Sequence, residues 1–211
     1  MAEPTARRPN VVVLALLGVV AFALIAVVIG LAGGGGDDDT SASTASETRD
    51  VEVVGDDLPP LEDPADDPAV GQPAPVLNGE TFAAESITIP GGQPAVVVFL
   101  AHWCPHCQRE VPFLVSYFDV NGMPEGLDVV GVATSIDPAK PNYPPSEWFE
   151  REGWDIPTLV DADDDGAARA YGLSAYPYFV AIDADGNVVA RTSGELEAPQ
   201  LEALFDAARG G

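Results

Sequence analysis

A chain of 211 residues with 46% hydrophobic side chains has length for one or two domains and material for a core. Its 34 Asp and Glu outweigh 9 Lys and Arg, for a net charge of -25. Gripping phosphates needs clustered cations, so nucleic-acid binding is not expected of this chain.

Residues 1–10 carry Arg7 and Arg8 ahead of an uncharged run of 22 residues, 11–32, VVVLALLGVVAFALIAVVIGLA. About twenty apolar residues in a helix cross the hydrocarbon of a bilayer, so 11–32 is predicted as a transmembrane signal-anchor. With cations before it and Asp37, Asp38 and Asp39 after it, the expectation is a single-pass protein of the cell membrane, residues 1–10 cytoplasmic and the remainder extracytoplasmic. A cleaved secretory signal is the competing reading, with small residues at Gly30 and Ala32. The run exceeds the roughly 7 to 15 residues of a signal core, which favours the uncleaved anchor. Residues 33–72 hold twelve acids against Arg49, with many Gly, Ser, Thr and Pro. Such a composition buries too little surface to offset chain entropy, and the segment is predicted as an acidic flexible linker.

From residue 73 the pattern becomes α/β. PAVVVFLA, 94–101, is a β-branched run of strand length suited to the middle of a sheet. A short hairpin or edge extension is expected before it, over 76–89. After it, Val111, Leu114, Val115 and Phe118 recur at helical spacing. LDVVGVATS, 127–135, reads as a second strand, completing a βαβ unit. A proline-led helix over 144–153 follows, then a short strand, an acidic turn and a helix ending at Gly172. YFVAIDADGNVVARTSG reads as a hairpin about Asp185 and Gly186. Leu201, Leu204 and Phe205 mark a closing helix over 198–208.

AHWCPHCQ, 101–108, sits where the buried strand ends and a helix begins, and contains both cysteines and both histidines of the chain. Two readings fit: a dithiol that cycles with a disulfide, or a set of metal ligands. In the first, Cys104 is the nucleophile, since a helix N-terminus offers unpaired N–H groups and a positive dipole end to a thiolate. Cys107, three residues on, lies on the same face to resolve a mixed disulfide. Pro105 and His106 tune the potential, because a group that stabilises the reduced form makes the couple more oxidising. Glu110 stands one turn after Cys107, placed to take its proton. Trp103 shields the site. In the second reading a histidine joins the two thiols on copper or zinc, although neighbouring backbone positions hinder convergence of all four side chains.

The strand, the WCxxC at a helix start, the βαβ unit, the hairpin led by Tyr176-Pro177 and the final helix resemble the thioredoxin fold, a central mixed sheet flanked by helices. The resemblance is specifically to its membrane-anchored extracytoplasmic branch, the TlpA/ResA-like thiol:disulfide oxidoreductases. It rests on VGQPAPVLNGETF, on VVVFLAHWCPHCQREVP and on IPTLVDADDDGAARAYGLSAYPYFVAIDADGNVVARTSG. It implies a thioredoxin-like domain over 73–211, the same roles for Cys104 and Cys107, an acid at Glu110, and a cis-proline at Pro177. The Tyr176 backbone and Trp103 would then meet an extended substrate, and His102 resembles a variable position on the rim. No cofactor is implied. The implied partners are protein thiol or disulfide substrates, with cytochrome c maturation or general thiol homeostasis as the setting. The membrane redox partner would be a CcdA/DsbD-like reductant, or a DsbB/VKOR-like one for an oxidase. The Pro-His pair is similar to that of DsbA oxidases, so a disulfide-forming oxidase is the alternative to a reductase, and a copper carrier the alternative of another class. Two departures are visible. Thioredoxin's buried acid six positions before the first cysteine is Val98 here, and the threonine of peroxiredoxin-like sites is Ala101.

Overall fold

A computed structural model describes residues 47–210. Residues 1–10, the expected anchor at 11–32 and the first part of the expected linker lie outside the described residues. Among those that are described, no helix is long and apolar enough to cross a membrane.

The elements run β1 (Glu52–Val54), a 3-10 turn (Pro64–Asp66), β2 (Val76–Glu80), β3 (Ser86–Ile89), β4 (Ala95–Leu100) and α1 (Cys107–Asn121). They continue through β5 (Asp128–Ala133), α2 (Pro145–Glu152), β6 (Thr158–Val160), α3 (Gly166–Ala170), β7 (Tyr178–Ile182), β8 (Val188–Ser193) and α4 (Ala198–Arg209). Five strands form the main sheet in the order β6-β5-β4-β7-β8. β4 is its middle strand, parallel to β5 and antiparallel to β7. Every residue of β4 is buried, as a continuous apolar run predicts for a strand covered on both faces. This is the thioredoxin fold expected from the sequence. The expected hairpin before β4 is also present, with β2 and β3 antiparallel and Leu77 opposite Ile89.

β4 divides the core by simple alternation. Val96, Val98 and Leu100 face one apolar cluster, which also holds Cys104, Cys107, Val111, Leu114, Trp148, Phe149 and Phe205. Val97 and Phe99 face a second, with Leu77, Tyr171, Tyr178, Val180 and Ile182.

The second cluster corrects the expected boundary. Residues 47–72 belong to the fold and are not a tether. β1 pairs antiparallel with β2 as a third strand of the smaller sheet, Val53 opposite Leu77. Leu58, Leu61 and Ala69 are buried in the second cluster. Asp67 forms an ion pair with Arg191 of β8 in which both side chains are fully shielded from solvent. Arg191 also donates to the carbonyls of Pro59, at 2.9 Å, and Tyr171, at 3.1 Å. The composition of the segment misled because it averaged a few apolar side chains over many acids. One of those acids carries an internal bond, and the Arg191 guanidinium beside it holds the Asp67 carboxyl below its usual range.

Gly172 shows how closely the segment is applied. It adopts φ +66°, and a Cβ there would lie 2.3 Å from the Pro59 carbonyl oxygen and 2.8 Å from the Arg191 guanidinium. Only glycine accommodates both the backbone conformation and the approach.

Candidate active site

β4 ends at Leu100, and the chain turns through Ala101 to Pro105 into α1. The turn is closed by the Cys104 N–H, which donates to the Ala101 carbonyl at 3.0 Å. Regular helix begins at Cys107, but the Gln108 N–H already donates to the Cys104 carbonyl at 3.0 Å. Cys104 therefore stands at the head of the helical hydrogen-bond ladder, where N–H groups lack intrahelical acceptors.

Both sulfurs are unbridged, and both residues are buried, Cys104 at 6% exposure and Cys107 at 0%. The two thiols are not equivalent. Burial pushes the Cys107 thiol well above the usual range, and the charges of Cys104 and Glu110 push it further. Cys104 is the residue with a path to solvent. A slightly accessible thiol in front of a fully buried, reluctant one is the asymmetry a two-step exchange requires.

Glu110 shares the buried stripe of α1 with Cys107, Val111 and Leu114. Its Oε2 accepts from the Leu196 N–H at 3.1 Å. Its Oε1 is buried with no hydrogen-bond partner among the described residues. Burial raises its pKa to about 7, against which the Leu196 hydrogen bond acts. A carboxyl that titrates near neutrality beside a thiol is suited to proton exchange.

The other half of the site is the loop before β7. Tyr176-Pro177 is a cis peptide, as the resemblance implied, and the Pro177 carbonyl accepts from the Gly194 N–H at 2.8 Å. Trp103 and Tyr176 meet edge to face, their centroids 5.9 Å apart, and both pack on the cluster that contains the cysteines. They are joined through Ser135 at the end of β5. Its carbonyl accepts from Trp103 Nε1 at 2.8 Å, and its hydroxyl lies 2.7 Å from the Tyr176 hydroxyl. Asp165 fixes Ser135 in turn, accepting from its N–H at 2.8 Å and its hydroxyl at 3.1 Å. Lys140, the sole lysine of the chain, lies 5.9 Å from the Trp103 ring centroid.

The two histidines separate. His102, expected to resemble a variable rim position, is 1% exposed. Its Nδ1 lies 2.7 Å from the Pro141 carbonyl, and its Nε2 accepts from the Asp137 N–H at 3.2 Å. It pins the loop after β5 and is occupied at both nitrogens. Burial holds it below the usual imidazole pKa. His106 and Pro105 are exposed. His106 turns its Nδ1 to Glu195, 2.6 Å away. Among the described residues no three His, Cys, Asp or Glu side chains gather as a set that could hold a metal ion, consistent with both imidazoles being engaged elsewhere.

Sequence reading missed Glu195, Leu196, Arg109 and Ser135. Glu195 and Leu196, adjacent in the loop between β8 and α4, touch α1 at two places, on His106 and Arg109 and on Glu110. No local pattern joins positions more than eighty residues apart. Burial of Glu110 was legible, since it falls at the third position after Cys107 on an otherwise apolar stripe.

The Redoxin family profile matches residues 61–205. The chain belongs to the Redoxin family. It is 26% identical over 148 residues to methylamine utilization protein MauD of Methylophilus methylotrophus, covering 68% of this chain and 64% of that protein. It is 26% identical over 122 residues to thiol-disulfide oxidoreductase ResA of Geobacillus thermodenitrificans, covering 57% of this chain and 67% of that one. The crystal structure of StoA from Bacillus subtilis superposes with a TM-score of 0.54 at 24% identity, over 65% of this chain and 99% of that chain. This last likeness concerns the fold.

Proposed function

We propose that this Redoxin-family protein is a thiol:disulfide oxidoreductase that reduces protein disulfides through Cys104 and Cys107. One observation carries the reading: a partly accessible cysteine heads the helix while its partner, three residues on, is fully buried, pushed up by that burial and set beside the Glu110 carboxyl. The relative named a thiol-disulfide oxidoreductase supports the class of chemistry.

The cycle starts with the dithiol. The Cys104 thiolate attacks one sulfur of a client disulfide, forming a mixed disulfide and expelling a client thiolate, which takes a proton. Cys107 then passes its proton to Glu110, and its sulfur attacks the Cys104 sulfur. The second client thiolate leaves, and the Cys104–Cys107 disulfide remains. Two electrons have moved to the client, and a membrane reductant of the CcdA/DsbD-like kind must return them. The Tyr176 backbone beside Pro177 is the edge on which an extended client segment lies, in the manner of an added strand. Trp103 walls the site.

The same proposal places the domain outside the cytoplasmic membrane, tethered by residues 11–32, where disulfides persist and are managed. Cytochrome c maturation or general thiol homeostasis is the setting. An oxidase working with a DsbB/VKOR-like partner is the second reading, favoured by His106 in the dipeptide between the cysteines.

The test is the reduction potential of the pair against glutathione and dithiothreitol. A value near thioredoxin's, about -270 mV, fits a reductase, and one near DsbA's, about -120 mV, fits the oxidase. A pair that does not cycle removes both.

A further inference from the structure

An ionic clamp sits on the rim of the site and is used by nothing in the cycle above. Arg109, on α1, donates through Nε to Glu195 Oε2 at 2.9 Å and through Nη2 to Oε1 at 2.6 Å, a two-point grip on one carboxylate. His106 Nδ1 is 2.6 Å from the same Oε1 and 2.9 Å from Arg109 Nη2. One Nδ1 cannot both donate to the carboxylate and accept from the guanidinium. The 2.6 Å contact to Oε1, with Arg109 already committed to that carboxylate, assigns the proton to Nδ1. Glu195 thus collects His106, which lies between the two cysteines, and Arg109, two residues after the second. Arg109 lies in the first turn of the helix that Cys104 heads, where the Arg109 N–H donates to the His106 carbonyl at 3.1 Å and the Gln108 N–H to the Cys104 carbonyl at 3.0 Å.

The redox consequence follows from charge. Oxidation of the pair to a disulfide discharges any thiolate at Cys104, so a cation near that sulfur stabilises the reduced state and makes the couple more oxidising. A carboxylate that neutralises the cation does the reverse. We propose that Glu195 is a positioning residue that sets the redox poise of the Cys104–Cys107 couple, holding His106 and Arg109 to its own charge and so keeping the couple a reductant. The inference rests on the oxidoreductase reading and decides between its two directions. It explains how an oxidase-like Pro-His dipeptide operates in a reductase: the imidazole is present but committed to Glu195. Exposed ion pairs are usually weak, but a two-point arginine grip with a third partner is the arrangement in which they count.

The experiment uses the full-length protein equilibrated in glutathione buffers, with the reduced fraction read by thiol alkylation. In E195Q, which keeps the shape and removes the charge, the equilibrium constant is expected to move about tenfold toward the reduced protein, which for two electrons is 29.6 mV less negative. R109Q is expected to move it the opposite way. In about 1 M salt, where the screening length is near 3 Å, the E195Q difference should contract. A purely structural role would leave the constant unmoved, or shift it independently of salt. An E195Q constant indistinguishable from wild type overturns the proposal, as does a shift of the same sign in both variants. In either case a wild-type pair that equilibrates leaves the oxidoreductase reading standing. A wild-type pair that will not equilibrate removes that reading, and this proposal with it.

Discussion

On one side of the central sheet, Val97 and Phe99 of β4 look onto a cluster closed by residues 47–72, and there the charged groups are matched. Arg191 is shared among Asp67 and the carbonyls of Pro59 and Tyr171. On the other side, Val96, Val98 and Leu100 look onto the cluster with the cysteines, and there the matching is deliberately incomplete in its effect. Glu110 has one oxygen bonded to Leu196 and the other buried without a partner, and Cys107 is a thiol that burial strongly disfavours ionising. The contrast separates polar groups that hold the fold from polar groups that are held ready by it. A buried ion with every partner in place stabilises a unique packing; a buried acid with an unused oxygen keeps its proton exchangeable.

The sharpest break of that contrast is at the sulfur itself. Cys104→Ser is expected to abolish disulfide exchange while leaving the fold intact, since the side chain is nearly isosteric. Cys107→Ser should instead accumulate a mixed disulfide with client protein, visible on non-reducing gels. Loss of the fold in Cys104→Ser would mean that the residue belongs to the packing rather than to the chemistry.

On the opposite face, Asp67→Ala leaves Arg191 as an unpaired buried cation. Breaking such a pair costs about 3–5 kcal/mol, to be read as a fall in denaturant midpoint. The potential of the cysteine pair should not move. A fragment starting at residue 73 removes Asp67 together with β1, Leu58 and Leu61, and is expected to be less stable still. If it proves as stable as the longer chain, the closing role given to 47–72 is wrong.

Glu110 gives a smaller effect with a definite sign. Its carboxyl titrates at about 7 in the fold and at 4.5 in the free side chain, so between those values the folded protein binds more protons than the unfolded one. Stability from this group is therefore complete below about pH 4.5 and is lost as pH rises through about 7, on the order of 3 kcal/mol in all. Glu110→Gln should flatten that dependence in denaturant midpoints taken at acid and alkaline pH. Without the proton acceptor, resolution by Cys107 should slow, by about a hundredfold for a lost general base.

How much of this was legible in the sequence follows from the range of each interaction. β4, α1 and the β7–β8 hairpin were plain because their signals are local: a six-residue apolar run, a helical stripe, and Asp185-Gly186 between alternating strands. The cysteines declared themselves by spacing and by their place after a buried strand. Residues 47–72 did not, because acid-rich composition outweighed VEVV, four residues whose value as a strand depends on β2 lying alongside. His102 was misplaced on the rim because its burial depends on the loop carrying Asp137 and Pro141 folding over it. Glu195 and Ser135 have no sequence signal, since each gains its role from a partner that only the fold delivers.

Ser135 supplies the finest test. Trp103 precedes the first cysteine and Tyr176 precedes the cis-proline, and both bind Ser135, which is held in a left-handed conformation with φ 49° by Asp165. Trp103→Phe and Tyr176→Phe each delete one hydrogen bond, worth about 1 kcal/mol net. If Ser135 joins the two halves of the site into one unit, releasing either partner loosens the hold on the other. The double variant should then depart from additivity by about 0.5 kcal/mol or more in denaturant unfolding. Strict additivity would mean that the cysteine loop and the proline loop are braced independently, and that Ser135 merely satisfies two neighbours. Non-additivity would mean that the cysteine loop and the proline loop are braced as one unit, through Ser135 and through the contact between the two rings.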